Sequence, residues 1–236
     1  MKQIMTDLHL HSKYAQAVSK YMSLELLYDT ALTKGIDVLS VGDFTHPKWY
    51  AQISEKLESC GSGIYSLKDR DDRVRFLMGT ELSCIFRQDG VARRVHVLVY
   101  APSLEVVAEI NSALNDRGVN LVSDGRPILP FSVVELCGML FEIDERIAVI
   151  PAHIWTPWFG ALGSKTGFRS LRECFGEYAE KIYAIETGLS SDPWMNWQIS
   201  EFKSRAIVLF SDAHSAIKLG RVLTVFERDG VFDLGR

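Results

Sequence analysis

The sequence predicts a single α/β domain in which parallel strands form a barrel. Short apolar runs typical of buried strands alternate with stretches of helical spacing, which is the pattern of repeated βαβ units. All six histidines lie within or just beyond these runs, and a scatter of surface histidines would not follow strand ends in this way. With 236 residues, 47% of them hydrophobic, the chain can bury one large core.

Seven strands are predicted. The first alternates polar and apolar side chains with the period of two expected of a strand, and the later ones are more continuously apolar. They cover residues 4–11, 37–43, 74–81, 95–100, 147–153, 181–186 and 206–214. A hairpin turn is predicted at Gln88-Asp-Gly90, between the third and fourth strands.

Helices are predicted between these strands. The first begins near Ser23, an N-cap candidate followed by Glu25, and Gly35 closes it. The others cover residues 48–60, 104–114, 132–140 and 197–202. Because strands separated by helices run parallel, their carboxyl ends meet on one face of a closed barrel, where the chemistry lies.

The first strand carries the motif Asp7-Leu-His-Leu-His11. Its period of two places Asp7, His9 and His11 on one face, and paired imidazoles suit a divalent metal ion. An isolated His-x-His is equally compatible with two surface histidines, so the prediction depends on further ligands at the other strand ends. Those further candidates are Asp43, His46, Glu81, His96, His153, Asp212 and His214.

The stretch from residue 150 to residue 172 is unusual because it places three aromatic side chains in a loop. Trp155, Trp158 and Phe159 either pack as a lid over the barrel mouth or contact a planar ligand such as a nucleobase. Basic residues offer contacts to backbone phosphates, although each alone is more often a solvated charge. These candidates are Arg93, Arg94, Lys165 and Lys218.

Composition bears on nucleic-acid attraction, on the roles of the cysteines and on membrane association. The net charge of −4 gives no general attraction to polyanions. The 4 cysteines stand far apart without a C-x-x-C pair, which predicts neither a zinc ribbon nor a disulfide framework and favours a reducing cytoplasm. No leader precedes the first strand, and no apolar stretch approaches the roughly 20 residues that span a bilayer, so no membrane association is predicted.

The ordered ligand set resembles that of the PHP (polymerase and histidinol phosphatase) metallo-phosphoesterases, over roughly residues 4–221. The resemblance implies a distorted seven-stranded, TIM-like barrel, the PHP fold, which carries up to three metals. Within that superfamily, four stretches resemble endonuclease Q, a family that cuts DNA on the 5′ side of deaminated bases such as uracil and hypoxanthine. They are Gly42-Asp-Phe-Thr-His-Pro47, Ile150-Pro-Ala-His-Ile-Trp-Thr-Pro-Trp-Phe159, Glu186-Thr-Gly-Leu-Ser-Ser-Asp-Pro193 and Ser211-Asp-Ala-His-Ser215 with Lys218-Leu-Gly-Arg221.

The resemblance implies a distribution of ligands over two to three divalent ions of zinc, manganese or iron. Glu81 would lie between one ion held by His9, His11 and Asp212 and a second held by His96 and His153. A third would use His214 with His46, or with Asp43. Asp212, Glu81 and His214 are the residues expected to act in catalysis.

Two departures from the family pattern are visible. The turn at residues 15–20 lacks the arginine and a hydroxyl found in the family. The family also continues into a zinc finger and a helical region, whereas this sequence, ending at Arg236, resembles the catalytic barrel alone as one domain over residues 1–236.

The leading hypothesis is a metal-dependent DNA endonuclease of the endonuclease Q type, which acts in repair on DNA that contains deaminated bases. A small-molecule PHP phosphatase that hydrolyses phosphomonoesters is the alternative in the same chemical class. A barrel that keeps its metals for structure and serves as a non-catalytic module of a repair assembly is the alternative in a different class.

Overall fold

The computed structural model describes residues 2–228, so residues 1 and 229–236 of the predicted domain lie outside it. Eleven strands are formed in this part of the chain. They are β1 Lys2–Asp7, β2 Val38–Ser40, β3 Leu57–Gly61, β4 Ile64–Leu67, β5 Arg75–Gln88, β6 Val91–Ala101, β7 Ile128–Leu129, β8 Ala148–Pro151, β9 Ala184–Glu186, β10 Ala206–Val208 and β11 Thr224–Arg228. The helices are α1 Leu24–Lys34, α2 Pro47–Lys56, α3 Leu104–Asp116, α4 Val133–Ile143, α5 Leu171–Phe175 and α6 Pro193–Trp197, with short 3₁₀ turns after α5 and near residues 188–190, 200–202 and 216–218.

Nine of these strands form one mixed sheet. β1, β2 and β5 are parallel neighbours, whereas β6 lies antiparallel between β5 and β8. β9 and β10 form a separate two-stranded parallel sheet. The hairpin of β5 and β6 turns at Asp89 and Gly90, both with positive φ, as the Asp-Gly pair predicts.

The predicted closed barrel of seven parallel strands is not what the structure shows. The sheet is mixed because β5 and β6 are joined by a tight turn, which reverses the chain where a helical crossover would keep it parallel. The two sheets approach each other through single contacts, such as the isolated bridge between Leu10 and Ala213 and the hydrogen bond from Ile154 N to Glu186 O. The class, mixed α/β with a large sheet, is confirmed.

Two predicted helix bounds are wrong for local reasons. α2 stops at Lys56, because residues 57–67 form a hairpin whose turn places Gly61, Ser62 and Gly63 at positive φ. The helix expected over 197–202 lies earlier, since Asp192 caps it by accepting from Met195 N. By contrast, α1 starts after Ser23 and ends at Gly35 with φ 71°, as predicted.

The core lies between the large sheet and the helices. Trp49, Phe76 and Leu136 are among the fully buried side chains that join α2, β5 and α4 into one cluster. Within residues 2–228, all four cysteines are free thiols, which agrees with the predicted lack of a disulfide framework. In the same range, no helix combines the length and apolar character needed to cross a membrane.

Candidate metal centre

The first ligand group combines two segments that the topology brings together. β1 ends at Asp7, and the parallel bridge between Leu10 and Ala213 then fixes the following residues beside the segment after β10. His9 Nε2 lies 3.5 Å and His11 Nε2 lies 3.2 Å from Asp212 Oδ1. Both histidines are buried, whereas Asp212 is one-third exposed, so the group opens toward solvent on one side.

The second group comes from the large sheet. Glu81 stands on β5, His96 on β6 and His153 just beyond β8. Glu81 Oε1 lies 2.9 Å from His96 Nδ1 and 3.1 Å from His153 Nε2. The other ring nitrogen of His153 lies 2.7 Å from Thr156 Oγ1, which itself donates to His153 O. Thr156 Oγ1 therefore accepts a hydrogen bond from His153 Nδ1–H. The lone pair of His153 Nε2 then points toward Glu81.

Glu81 lies between the two groups. Its Oε1 is 3.5 Å from His9 Nε2 and its Oε2 is 3.5 Å from His11 Nε2. The side chain is 1% exposed, so both of its oxygens are committed to the interior. One carboxylate thus reaches ligand atoms of both groups, which is the arrangement that a bridging ligand requires.

Carboxylates behind the ligand histidines fix their ring orientation. Glu186 lies with Oε1 2.9 Å from His9 Nδ1 and with Oε2 accepting from His153 N at 2.7 Å. Asp43 Oδ1 is likewise 2.9 Å from His11 Nδ1. Because each carboxylate accepts from Nδ1–H, the Nε2 lone pairs are free to bind a metal ion, as in the carboxylate-histidine pairs of known metal sites.

The backbone is strained at three of these positions. Asp43, His153 and Asp212 have φ values of 48°, 30° and 48°. Residues other than glycine rarely adopt this region, and each such residue costs about 1–3 kcal/mol unless its surroundings hold it there. Strain of this kind clusters at functional sites, and here it turns the chain at strand ends so that the side chains converge.

Burial and neighbouring charges shift the pKa values of the ligand residues in opposite directions. Burial disfavours the charged form of His9, yet the carboxylate of Glu186 and its neighbours outweigh burial and raise the pKa of His9 well above its ordinary value. The same balance raises the pKa of His11 to about 9. At His96 burial prevails and lowers the pKa to about 4. Burial opposes ionisation of Glu81, but His96 and the other imidazoles hold its pKa well below its ordinary value.

The residues present fit a metal centre. Among the described residues, His9 Nε2, His11 Nε2 and Asp212 Oδ1 are buried without a hydrogen-bond partner, and these atoms lie within 4.8 Å of one another. Buried polar atoms without partners are costly, so a ligand that satisfies all three at once is expected. Nitrogen and oxygen donors without sulfur suit divalent zinc, manganese or iron.

The remaining predicted ligands have other contacts. Asp43 also accepts from Ser12 N at 2.5 Å, so both of its oxygens are engaged. His46 Nε2 lies 3.2 Å from Val122 O, and His214 lies edge-on to an imidazole of the first group. Within residues 2–228, no third set of three ligand atoms lies as close together as the two described above. A third ion at His46 and His214 stays a prediction.

The aromatic loop is partly structural. Trp155 donates its indole N–H to Asn196 Oδ1 and packs against Phe202. Phe159 lies 4.3 Å from His96, ring centroid to centroid, and so covers one face of that imidazole. Trp158, in contrast, is 51% exposed.

The predicted phosphate-binding residues differ in how far their side chains are engaged in contacts within the protein. Arg93 is committed to packing, since it donates to Gly167 O, stacks on Phe168 and pairs with Glu173. Arg94 lies 5.4 Å from the ring of Trp158. Lys165 and Lys218 are exposed. Contact of any of the four with DNA stays a prediction.

Sequence reasoning missed two groups at the site. Arg126 donates to Glu81 Oε2 at 2.9 Å. It stands in a loop without periodicity, so no sequence pattern singles it out. Glu186 ends a predicted strand as Glu81 does, so the rule that selected Glu81 also selects Glu186.

The chain was compared in sequence and in fold with known proteins. No protein-family model matches the sequence. The chain is 30% identical to the uncharacterised protein YqxK of Bacillus subtilis, over 94% of this chain and 57% of that protein. It resembles the lesion-specific endonuclease PfuEndoQ from Pyrococcus furiosus, with a TM-score of 0.83, 29% identity and coverage of 98% of this chain and 54% of that one. It also resembles endonuclease Q in complex with a 27-mer duplex substrate with an abasic lesion at the active site, with a TM-score of 0.84, 31% identity and the same coverage.

The mixed sheet and the two ligand groups, with Glu81 between them, are consistent with the resemblance of the sequence motifs to the PHP metallo-phosphoesterases. More narrowly, the chain is similar in fold and in sequence to endonuclease Q, in agreement with the resemblance of its motifs. The chain spans about half the length of these three proteins, between 54% and 57%.

Protein purified without chelators should contain at least two transition-metal ions per chain. Six ligand residues in two groups exceed the needs of one ion, since zinc sites take three or four protein ligands. Elemental analysis by plasma mass spectrometry measures the content, and dialysis against a chelator followed by a thermal melt measures its contribution to stability. Metal-free protein with an unchanged melting temperature would contradict a metal centre.

Glu186→Gln should weaken metal binding by about 10- to 100-fold, the usual effect of removing a partner behind a ligand. The amide keeps the volume but can present N–H to His9 Nδ1, which disturbs the ring orientation. Competition with a metal-sensitive dye measures the affinity. Glu201→Gln is a matched control, because Glu201 accepts from two backbone N–H groups at the start of α5 and belongs to neither ligand group. Equal affinity in the wild type and Glu186→Gln would contradict the orienting role.

Proposed function

We propose that this chain is a metal-dependent DNA endonuclease of the endonuclease Q type, which hydrolyses the phosphodiester on the 5′ side of deaminated bases. The observation that supports it most strongly is the pair of ligand groups that share Glu81, set in a fold similar to that of a lesion-specific endonuclease. Shared carboxylates of this kind belong to two-metal sites, which serve in-line displacement at phosphorus.

In this proposal the chain holds the ions and positions the phosphate. His9, His11 and Asp212 would hold one ion and His96 and His153 the other, with the Glu81 carboxylate within reach of both groups. The chemistry that two divalent ions supply when bound is a lowered pKa of water and neutralisation of charge at the phosphate. No side chain has to act as the nucleophile, and the buried carboxylates of Glu186 and Asp43 keep the imidazoles of His9 and His11 in place.

Arg126 supplies a positive charge beside the metal groups. Its side chain is 23% exposed and its guanidinium uses one nitrogen for Glu81 Oε2, so the other donors remain for a ligand. Burial works against the charge of Arg126, but Glu81 outweighs it and raises its pKa, so the guanidinium stays charged. A planar fork of N–H donors matches two oxygens of a phosphate group, and we assign Arg126 to this contact.

Selection of a deaminated base requires that the base leave the stack. Extrusion costs a few kcal/mol and costs least for a mispaired base such as uracil or hypoxanthine. The exposed Trp158, next to Arg94, offers a ring and a cation to a displaced base or its phosphate. The free thiols of the four cysteines are compatible with a cytoplasmic repair enzyme, to which a partner in a repair complex would add recognition.

Incubation with labelled duplexes tests the proposal. Duplexes that contain uracil, hypoxanthine or only normal bases are incubated with and without manganese, and the cut position is mapped on a sequencing gel. We expect nicking that depends on metal and lies 5′ of the deaminated base. Release of phosphate from small monoesters without nicking would support a phosphatase, and inertness toward both with full metal content would support a non-catalytic module.

A further inference from the structure

Asp7 is a buried carboxylate that neither ligand group of the metal centre uses. It is fully buried and ends β1, two residues before His9. Its Oδ1 accepts from Ser211 N at 2.9 Å, and its Oδ2 accepts from Gly220 N at 2.8 Å. The period of two in the first motif places Asp7 on the same face as the ligand histidines, but its two oxygens are engaged by backbone amides.

Ser211 and Gly220 are the two ends of a loop, residues 211–220, that carries the ligand Asp212. Within this loop the structure contains one 3₁₀ turn at residues 216–218 and the isolated bridge from Ala213 to Leu10, so no helix or continuous strand pairing holds it. Asp212 has a φ of 48°, a conformation that persists only where the surrounding contacts impose it. The position of Asp212 therefore depends on the contacts at the ends of the loop.

A second side chain binds the same end of the loop. Arg221 Nε donates to Ser211 O at 2.8 Å, so the N–H and the carbonyl of Ser211 are both bound by side chains. Arg221 is exposed, whereas Asp7 is fully buried. The residue directly before Asp212 is thus held from the interior and from the surface.

A carboxylate suits the position of Asp7 better than an amide does. It offers two acceptor oxygens and no donor, whereas an amide of the same size has one acceptor oxygen and a donor group. A buried carboxylate is costly unless its oxygens are hydrogen-bonded, and here each oxygen accepts from a backbone N–H. The buried charge is therefore placed where it ties together two points that are nine residues apart in the chain.

We propose that Asp7 is a positioning residue that holds Asp212 within reach of His9 and His11. This rests on the metal assignment of the proposed function and adds what fixes the first ligand group. Asp212 Oδ1 lies 3.5 Å from His9 Nε2 and 3.2 Å from His11 Nε2, and a metal site tolerates only small displacements of its ligand atoms. Release of the loop weakens the first group, whereas the second group stands on β5, β6 and the end of β8 and does not depend on the loop.

Titration of metal-free protein with cobalt(II), followed by visible absorption, tests the role of Asp7 apart from hydrolysis. The binding step that Asp212→Asn weakens identifies the first ligand group. Asp7→Asn should weaken that same step by about 10- to 100-fold, as the loss of a partner behind a ligand does, and should leave the other step unchanged. Arg221→Ala, at an exposed position, should weaken it by about 2- to 10-fold, the effect of one hydrogen bond.

Asp37→Asn is the matched control. Asp37 also accepts from a backbone N–H of β1, that of Met5 at 2.8 Å, but it belongs to neither ligand group and lies outside residues 211–220. Wild-type affinities in Asp7→Asn would overturn the proposal, as would equal weakening of both steps, which a general loss of stability produces. If Asp7→Asn does not fold, Arg221→Ala decides, and an unchanged first step in that variant overturns the proposal.

The same titration separates this proposal from the nuclease function. If the wild type binds no cobalt, the metal assignment and the role of Asp7 are both wrong. If the first step is selectively weakened in Asp7→Asn but the wild type nicks no DNA, Asp7 keeps its role and the nuclease function is wrong. Nicking by the wild type with equal cobalt affinities in both proteins would leave the nuclease standing without a positioning role for Asp7.

Discussion

Asp212→Asn is expected to reduce phosphodiester hydrolysis by more than about 100-fold, because partners behind metal ligands already contribute about 10- to 100-fold and Asp212 offers an oxygen directly. Its Oδ1 is buried without a hydrogen-bond partner among the described residues and lies 3.2 Å from His11 Nε2. The amide removes the negative charge and almost no volume. Asparagine also adopts positive φ as readily as aspartate does, so the strained backbone at φ 48° is kept.

The matched control is Asp89→Asn. Asp89 also has positive φ, at 51°, but it lies in the exposed hairpin turn between β5 and β6. Both variants should show the circular dichroism and melting temperature of the wild type after metal removal, and only Asp212→Asn should lose turnover. Retained turnover in Asp212→Asn would show that the first ligand group does not take part in the reaction.

The ligand residues could be predicted from the sequence where they stand at the ends of predicted strands. Parallel strands deliver the residues at their carboxyl ends to one place, and His153 and Asp212 follow β8 and β10 in this way. His96 reaches the same place from within an antiparallel strand, which its apolar neighbours do not distinguish from a parallel one. The ligand types were thus visible in the sequence, and the direction of β6 followed from the predicted hairpin turn at Gln88-Asp-Gly90, which is incompatible with a barrel of parallel strands only.

The roles within the site were harder to predict because they depend on distances of a few tenths of an ångström. Asp43 and His46 are three residues apart, and nothing in the sequence separates a carboxylate that binds a metal from one that fixes His11. The tilt of His46 toward Val122 O comes from a loop that folds back from 76 residues away. Contacts of this range lie beyond any local pattern.

The predicted helix bounds are wrong where turns and caps compete with the periodicity of apolar residues. Residues 57–60 continue the helical spacing of α2, yet β3 forms there because it pairs with β4. At residues 197–202 the apolar spacing favours a helix, but the cap at Asp192 starts it earlier. Pairing with a neighbouring strand and satisfaction of backbone N–H groups outweigh intrinsic propensity in both places.

Arg126→Ala is expected to lower kcat by about 10²- to 10³-fold, the effect of removing one preorganised donor for charge that develops in a transition state. Metal content should be retained, because Arg126 is not among the ligand atoms and contacts the site only through Glu81 Oε2. Arg126→Lys keeps the charge but loses the planar fork, so its kcat should fall between those of the wild type and the alanine variant. Single-turnover assays on an intact uracil-containing duplex with saturating metal separate the rate of hydrolysis from substrate affinity.

Arg146→Ala serves as the control for charge alone, since Arg146 pairs with Asp144 on the surface, where an ion pair contributes little. The expected pattern is a large loss of kcat for Arg126→Ala, a smaller loss for Arg126→Lys and no change for Arg146→Ala. If Arg126→Ala instead loses metal at unchanged kcat per bound ion, then Arg126 stabilises Glu81 and does not contact the phosphate. These two outcomes decide what the guanidinium does, because within residues 2–228 it pairs with Glu81, which lies close to both ligand groups.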